Sequence, residues 1–237
     1  MTRRRWIADE VSGNSAVLLG SHALHLSRVL RASVGQEYDI VTPTGVRSGQ
    51  IISVADDRVE FELGGGVSAV SSPAVSLLLS IFKFDRLEWA IEKCTELGVA
   101  SIIPVISRRT ESHLAVAASK RVERWRRIAT QASEQSRRSS PPEIAAPLKF
   151  KEAIAMEAAQ RIVLSETEHK TMLKDLLQDS AKDGLFLALG PEGGWTPDEL
   201  KLFGQTGWKF ASLGATILRA ETAAIAATAI AISELQA

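Results

Sequence analysis

Two short stretches near the C-terminal end hold the residue types best suited to chemistry. In LALGPEGGWTPDEL (residues 187–200) an apolar run stops in a loop with three glycines and a proline, and a helix start follows at once. In SLGATILRAETAA (residues 212–224) a strand again ends in glycine, apolar Leu213, Ile217 and Leu218 follow, and a helix starts near residues 220–222. Gly190, Gly193 and Gly194 tolerate positive φ and leave peptide N–H and C=O groups uncovered, so a ligand can approach the backbone with no Cβ in the way. A plainer reading stands beside this one: a tight turn from strand to helix needs the same glycines. Two familiar nucleotide loops are disfavoured. A P-loop needs Lys and then Ser or Thr after its second glycine, where this chain has Trp195 and Thr196, and GPEGG lacks the G-x-G-x-x-G spacing of an NAD loop.

These loops need strands to end on and helices to open. Thr196, Pro197 and Glu199 have the spacing of an N-cap, a first-turn proline and a capping-box acid, which starts a helix at about Pro197. Upstream, VSLLLSIF (75–82) predicts a buried strand, DRLEWAIEKCTELG (85–98) a helix stopped by Gly98, and ASIIPVIS (100–107) a second strand. A long polar helix is expected over 118–136, followed by helix, strand, helix, strand in KEAIAMEAA, RIVLSE, TMLKDLLQD and GLFLALG. After the helix that begins at Pro197 come a strand, KFASLG, and a last helix, AETAAIAATAIAISEL, apolar enough on every side to demand close neighbours. Such alternation predicts an α/β domain with a mostly parallel sheet, whose ligands sit beyond the carboxyl ends of the strands. Two loops of this kind on successive strands can share one crevice. Residues 17–63 read instead as short strands of a small barrel or sandwich, and GGGVSAVSSP (64–73) as a linker.

The composition is that of an ordinary globular protein, with 45% hydrophobic residues and 28 basic against 28 acidic side chains. Residues 1–138 nevertheless carry 19 basic and 15 acidic groups, a net of +4, and the remainder carries 9 and 13, a net of −4. Clustered arginines suit a polyanion, and they also suit solvated helix faces. No apolar run reaches the roughly 18–20 residues of a membrane span, and MTRRRWIADEV lacks the apolar core of a signal peptide, so a cytoplasmic protein is expected. The one cysteine, Cys94, and the four histidines are not spaced as metal ligands, and no metal is expected.

LALGPEGGWTPDEL and SLGATILRAETA resemble the two signature loops of the bacterial 16S ribosomal RNA uracil-N3 methyltransferases, members of the SPOUT superfamily. The resemblance extends, in order, through HLSRVLRASVGQ (25–36), KFDRLEWAIEKCTELGVASIIPVISRR (83–109) and IATQASEQSRRSSPPEI (128–144). It departs from the family's usual pattern at Arg108, Arg137 and Thr216. It implies an α/β fold in two parts: a PUA-like RNA-binding β-barrel over residues 1–70, and a SPOUT domain with a deep trefoil knot and mostly parallel sheet over residues 74–237. It also implies a homodimer, S-adenosylmethionine as methyl donor, 16S rRNA of the 30S subunit as substrate, and no membrane partner. Carried over residue by residue, the donor pocket falls on Leu164, Leu189, Gly190, Gly194, Leu213, Gly214 and Leu218, with Glu192, Gly193, Thr222 and Ala223 beside them. On the same reading Glu221 and Glu192 are candidate bases for the uracil N3 proton and Arg219 stabilises the uracilate, against the plainer alternative that Arg219 and Glu221 pair only to brace the knot. Arg4, Arg28, Arg31, Arg109 and Arg138 are expected to hold RNA phosphates, with Trp6 either stacking on a base or lying in the core. Ribose 2′-O methylation and a non-catalytic ribosome-assembly factor are the rival readings.

Overall fold

The computed structural model describes residues 5–67, 74–136, 138, 140–177 and 184–236. The chain forms two units, Met1–Ser71 with Ser133–Ser140, and Ser72–Ala132 with Pro141–Ala237.

The first unit contains β1 (Arg5–Ile7), β2 (Glu10–Ser12), β3 (Ser15–Leu19), α1 (Gly20–Leu24) running into a π-helical turn (His25–Val29), β4 (Glu37–Thr42), β5 (Gly45–Val54) and β6 (Arg58–Val67). The sheet order is β1-β4-β5-β6-β3-β2, so the two edges are halves of one continuous segment. Between them Ala8 N–H donates to Val41 O at 3.1 Å and Asp9 N–H to Val17 O at 2.9 Å. The segment thus passes from β4 across to β3 and curls the sheet on itself around Trp6, Leu18, Leu26, Ile40, Ile51 and Phe61. Curling of this kind removes the unpaired edges that an open sheet presents. Residues 64–67, expected in a linker, instead extend β6 opposite Val46 and Arg47. The glycines suit this close pairing, because a side chain at Gly64 would collide with Ser48. The rest of the expected linker lies outside the described residues. Neither β1 nor β2 has enough residues to show an alternating pattern in the sequence.

The second unit has β7 (Val75–Ser80), α2 (Phe84–Leu97), β8 (Ser101–Ile106), α3 (Ser112–Ala118), a 3₁₀ turn (Ser119–Arg121), α4 (Val122–Gln135, crossing the unit boundary), β9 (Glu143–Ile144) and β10 (Leu148–Lys149). It continues with α5 (Phe150–Ile154), β11 (Gln160–Leu164), α6 (Leu173–Leu176), β12 (Leu185–Leu189), α7 (Pro197–Gln205), β13 (Lys209–Ala211) and α8 (Ala220–Gln236). The sheet order is β10-β8-β7-β12-β11-β13, with β9 beside β8, and every pairing is parallel. Both faces are covered, as a parallel sheet requires. Leu77, Leu79, Ile162 and Leu187 point to the side of α2 and α8. Leu78, Val163 and Ala188 meet Phe150, Trp195, Phe203 and Trp208 on the other. The long polar helix expected over 118–136 forms as α4, which starts at Val122 after the 3₁₀ turn and buries Val122, Trp125 and Ala129 in the same core as Leu114 and Ala118. α8 buries Ala224, Ala227, Thr228 and Ala231 fully, while Ile225 and Ile230 are only partly covered, so its burial is one-sided.

Two local devices fix the frame. Gly98 ends α2 at φ 109°, where only glycine is unstrained. At α7, Thr196 Oγ1 accepts from Glu199 N–H at 3.3 Å, and Glu199 Oε2 accepts from Thr196 N–H at 2.9 Å. Glu199 is buried, and its other oxygen accepts from Arg108 N–H at 2.7 Å, beyond β8. One carboxylate therefore caps a helix and anchors a distant loop. Glu199→Ala should cost about 2 kcal/mol, the cap plus a stranded buried N–H, or a melting temperature lower by about 4–8 °C; an unchanged melt would refute this role. Cys94 is fully buried, and burial pushes its thiol up to about 12. It should react with an aqueous thiol reagent only after unfolding, and labelling of the native protein would contradict its placement.

Candidate functional site

Beyond the carboxyl ends of β11, β12 and β13 lies a cavity of about 310 Å³, walled by the loops after all three strands and by the first turn of α8. Hydrogen bonds explain why three loops meet. Ser165 N–H donates to Ala211 O at 3.0 Å, Ser212 N–H to Thr171 O at 2.8 Å, and Leu173 N–H to Ser212 O at 3.0 Å. The end of β13 is thus flanked on one side by the start, and on the other by the end, of the loop that leaves β11. Gly194 N–H closes a tight turn onto Pro191 O at 2.8 Å, with Gly194 at φ +69° and Gly214 at φ +129°. Gly190 packs on Gly194, where an added Cβ would stand 3.3 Å from Gly194 Cα. Trp195 Nε1 donates to Leu164 O at 3.1 Å and sets its ring among Phe150 and Phe203, which makes one wall rigid.

Leu164, Leu189, Gly190 and Gly194 line the cavity, as do Leu213, Gly214, Leu218 and Ala223. Gly193 and Thr222, expected beside them, are not in its walls. Gly193 faces Arg109, whose guanidinium donates to its carbonyl. Glu192 is in the wall, and Arg219 and Glu221 are not. The pair Arg219–Glu221 does not form. Glu221 turns instead to Arg86, on the first turn of α2, with Oε1 3.9 Å from Nε, while Arg86 Nη1 lies 3.0 Å from Glu192 Oε1. The Glu221 side chain is only 5% exposed, and its Oε2 is buried with no hydrogen-bond partner among the described residues. Arg219 is exposed and has no side-chain partner among them.

The arginines expected to meet RNA stand differently. Arg4 and Arg137 lie outside the described residues. Arg28 is exposed and forked onto Asp56 at 2.6 and 3.3 Å, which raises the guanidinium and lowers the carboxylate from their ordinary ranges. Arg31 is exposed just past the π-helical turn, at φ +50°. Arg138 donates to Ser140 O at 3.2 Å, and burial pulls it below the usual arginine range. Trp6 is core, its ring tilted against His22 and His25. Sequence reasoning missed Arg86 and the β11 loop with Glu166, because only their long-range placement marks them. Among the described residues no group of three or more His, Cys, Asp and Glu is placed to hold a metal ion. Nor is any helix among them long and apolar enough to cross a membrane.

A parallel sheet with a glycine- and leucine-walled cavity at its carboxyl edge is the arrangement in which α/β domains commonly hold small ligands. A family described as RNA methyltransferase domain matches residues 70–232. A ribosomal RNA small subunit methyltransferase E from Synechocystis sp. is 34% identical over 236 residues, covering 97% of this chain and 77% of that one. Another, from Rickettsia conorii, is 31% identical and covers 95% and 93%. The crystal structure of the Neisseria gonorrhoeae ribosomal RNA small subunit methyltransferase E bound to S-adenosyl methionine aligns with a TM-score of 0.84 at 26% identity, over 96% of both chains. The chain belongs to the ribosomal RNA small subunit methyltransferase E family of RNA methyltransferases.

Gly194→Ala forces an L side chain to positive φ and into the Glu166 carboxylate. It should destabilise by more than about 1 kcal/mol. Gly204→Ala, inside α7 with only an ordinary contact to Phe210, should stabilise by about 0.5–1 kcal/mol. Denaturant midpoints check both signs, and a Gly194→Ala midpoint at or above that of the wild type would overturn the first.

Proposed function

We propose that this chain methylates N3 of a uridine in the 16S RNA of the small ribosomal subunit, with S-adenosylmethionine as donor. The observation that carries the reading is the three-loop cavity, in a chain of this family. Five leucines and a set of glycine peptide groups fit the apolar slot and backbone contacts that an adenosine needs, and the wall carboxylate of Glu166 suits a ligand bearing positive charge. When bound, the donor supplies a methyl group on a sulfonium for in-line displacement. The chain's part is to hold the two reactants in line and to take the N3 proton. Glu192 is the candidate for the proton, since it is the one of the two suspected bases in the cavity wall. Glu221, walled in, orients Arg86, which in turn orients Glu192. Arg219, exposed beside Leu218, is suited to the charge that grows on the uracil oxygens. N3 lies on the Watson–Crick edge, so the target uridine must be unpaired or splayed out.

The same reading makes the first unit, about residues 1–70, a PUA-like RNA-binding barrel, and residues 74–237 a SPOUT domain with a trefoil knot. The end of β13 lies between the start and the end of the β11 loop, Ala211 accepting from Ser165 and Ser212 bonded to Thr171 and Leu173, which supports the knot. The half-covered Ile225 and Ile230 of α8 suit a second copy in a homodimer. A ribosomal substrate puts the protein in the cytoplasm.

Purified protein, labelled donor and 30S subunits from a strain lacking the enzyme should give label on N3 of one uridine, located by nuclease digestion and mass spectrometry. Label on a ribose oxygen, or no label, would overturn the proposal. Glu192→Gln should lower kcat by about 10²–10⁴ with little change in donor affinity; a kcat within threefold of wild type would remove Glu192 as the base.

A further inference from the structure

The cavity wall holds two carboxylates with unlike surroundings. Glu192 is neutralised by Arg86 at 3.0 Å. Glu166, in the loop after β11, makes no ion pair or hydrogen bond among the described residues. It nevertheless sits hard against the opposite loop: a Cβ built on Gly194 would lie 2.5 Å from its Oε1 and 2.8 Å from its Oε2. The missing side chain at position 194 is what lets a negative charge stand at this point. Glu166 is exposed in that wall and makes no bond among the described residues, so its oxygens are open to a cation that a ligand brings.

We infer that Glu166 is a specificity-determining group that recognises a cationic group of the methyl donor. The inference rests on the proposed function, which brings a donor with two positive centres, the sulfonium and the α-ammonium, to this cavity. The shared chemistry is a charge-assisted contact between a carboxylate and a cation. Glu166 selects ligands that carry the cation over neutral nucleosides of the same shape, which the leucines and glycines alone would not distinguish.

Three ligands separate the sources. S-adenosylmethionine carries both positive centres, S-adenosylhomocysteine only the ammonium, and methylthioadenosine neither. Their dissociation constants are to be measured calorimetrically on the wild-type protein and on Glu166→Gln, with Glu166→Ala as a second variant and a thermal melt of each. Glu166→Gln should weaken S-adenosylmethionine about ten- to hundredfold and leave methylthioadenosine within about twofold, as expected for a lost charged hydrogen bond. A loss confined to S-adenosylmethionine assigns the sulfonium, and a loss shared with S-adenosylhomocysteine assigns the ammonium; either supports the inference. An equal loss for all three ligands, or no loss for any, overturns it. A wild-type protein that takes up none of the three refutes the proposed function itself, which is a different result from wild-type binding that the Glu166 variants leave unchanged.

Discussion

Ser212 donates to Thr171 and accepts from Leu173, while its neighbour Ala211 accepts from Ser165. These three backbone bonds join residues about forty positions apart, and the cavity depends on them. β12 and β13 follow one another in sequence but are not neighbours in the sheet, because β11 lies between them. Their loops alone would be separated by a strand's width. The β11 loop fills that gap and wraps the exit of β13, so all three loops face one space. Contacts this distant in sequence need long loops closed before they are rewarded, which makes this the part of the molecule expected to form late in folding.

Around that frame the charges are divided by side. The β12 loop is held from outside by two arginines, Arg86 through the Glu192 carboxylate and Arg109 through the Gly193 carbonyl. Both cations come from segments flanking β7 and β8, so the neighbouring strands fix how far the glycine loop can move. Glu221 adds a buried negative charge behind Arg86. Burying a carboxylate is tolerated only when a cation is near, and a separation of 3.9 Å keeps the two in range without a hydrogen bond. The Glu221–Arg86–Glu192 series therefore transmits the position of α2 and α8 to a side chain in the cavity wall.

What could be read from the sequence follows how local each feature is. The α7 capping box and the Gly98 stop are set by residues three or four apart, and both stand where Thr196, Glu199 and Gly98 put them. The buried strands β7, β8 and β12 showed themselves as continuous apolar runs, since both of their faces are covered. The three-residue strands β1 and β2 were invisible, because their pairing is decided by β4 and β3 rather than by their own pattern. Residues 64–67 read as linker because glycine marks both flexible chain and close strand contact, and Ser48 decides between them. Resemblance carried most of the cavity wall, yet Arg86 and Glu166 gave no signal. A single charged residue in a helix turn or a loop acquires a role only from partners 106 and 28 positions away, Glu192 and Gly194.

The arginine clusters show the same lesson from the opposite side. Residues 1–138 carry 19 basic groups against 15 acidic ones, and many of those arginines are tied to acidic neighbours already counted in the net of +4. Arg121 and Arg124 share Glu88, Arg126 is taken by Glu123 and Ile144 O, and Arg58 by Glu60. Arg28 is held by Asp56 in the open, with both side chains 66% exposed. An exposed pair of this kind contributes little to stability and is open to exchange, whereas Arg86 sits in the half-buried pair with Glu192 that holds the β12 loop. Positive charge is thus of two kinds in this chain, one solvated and exchangeable, the other committed to shaping the cavity wall.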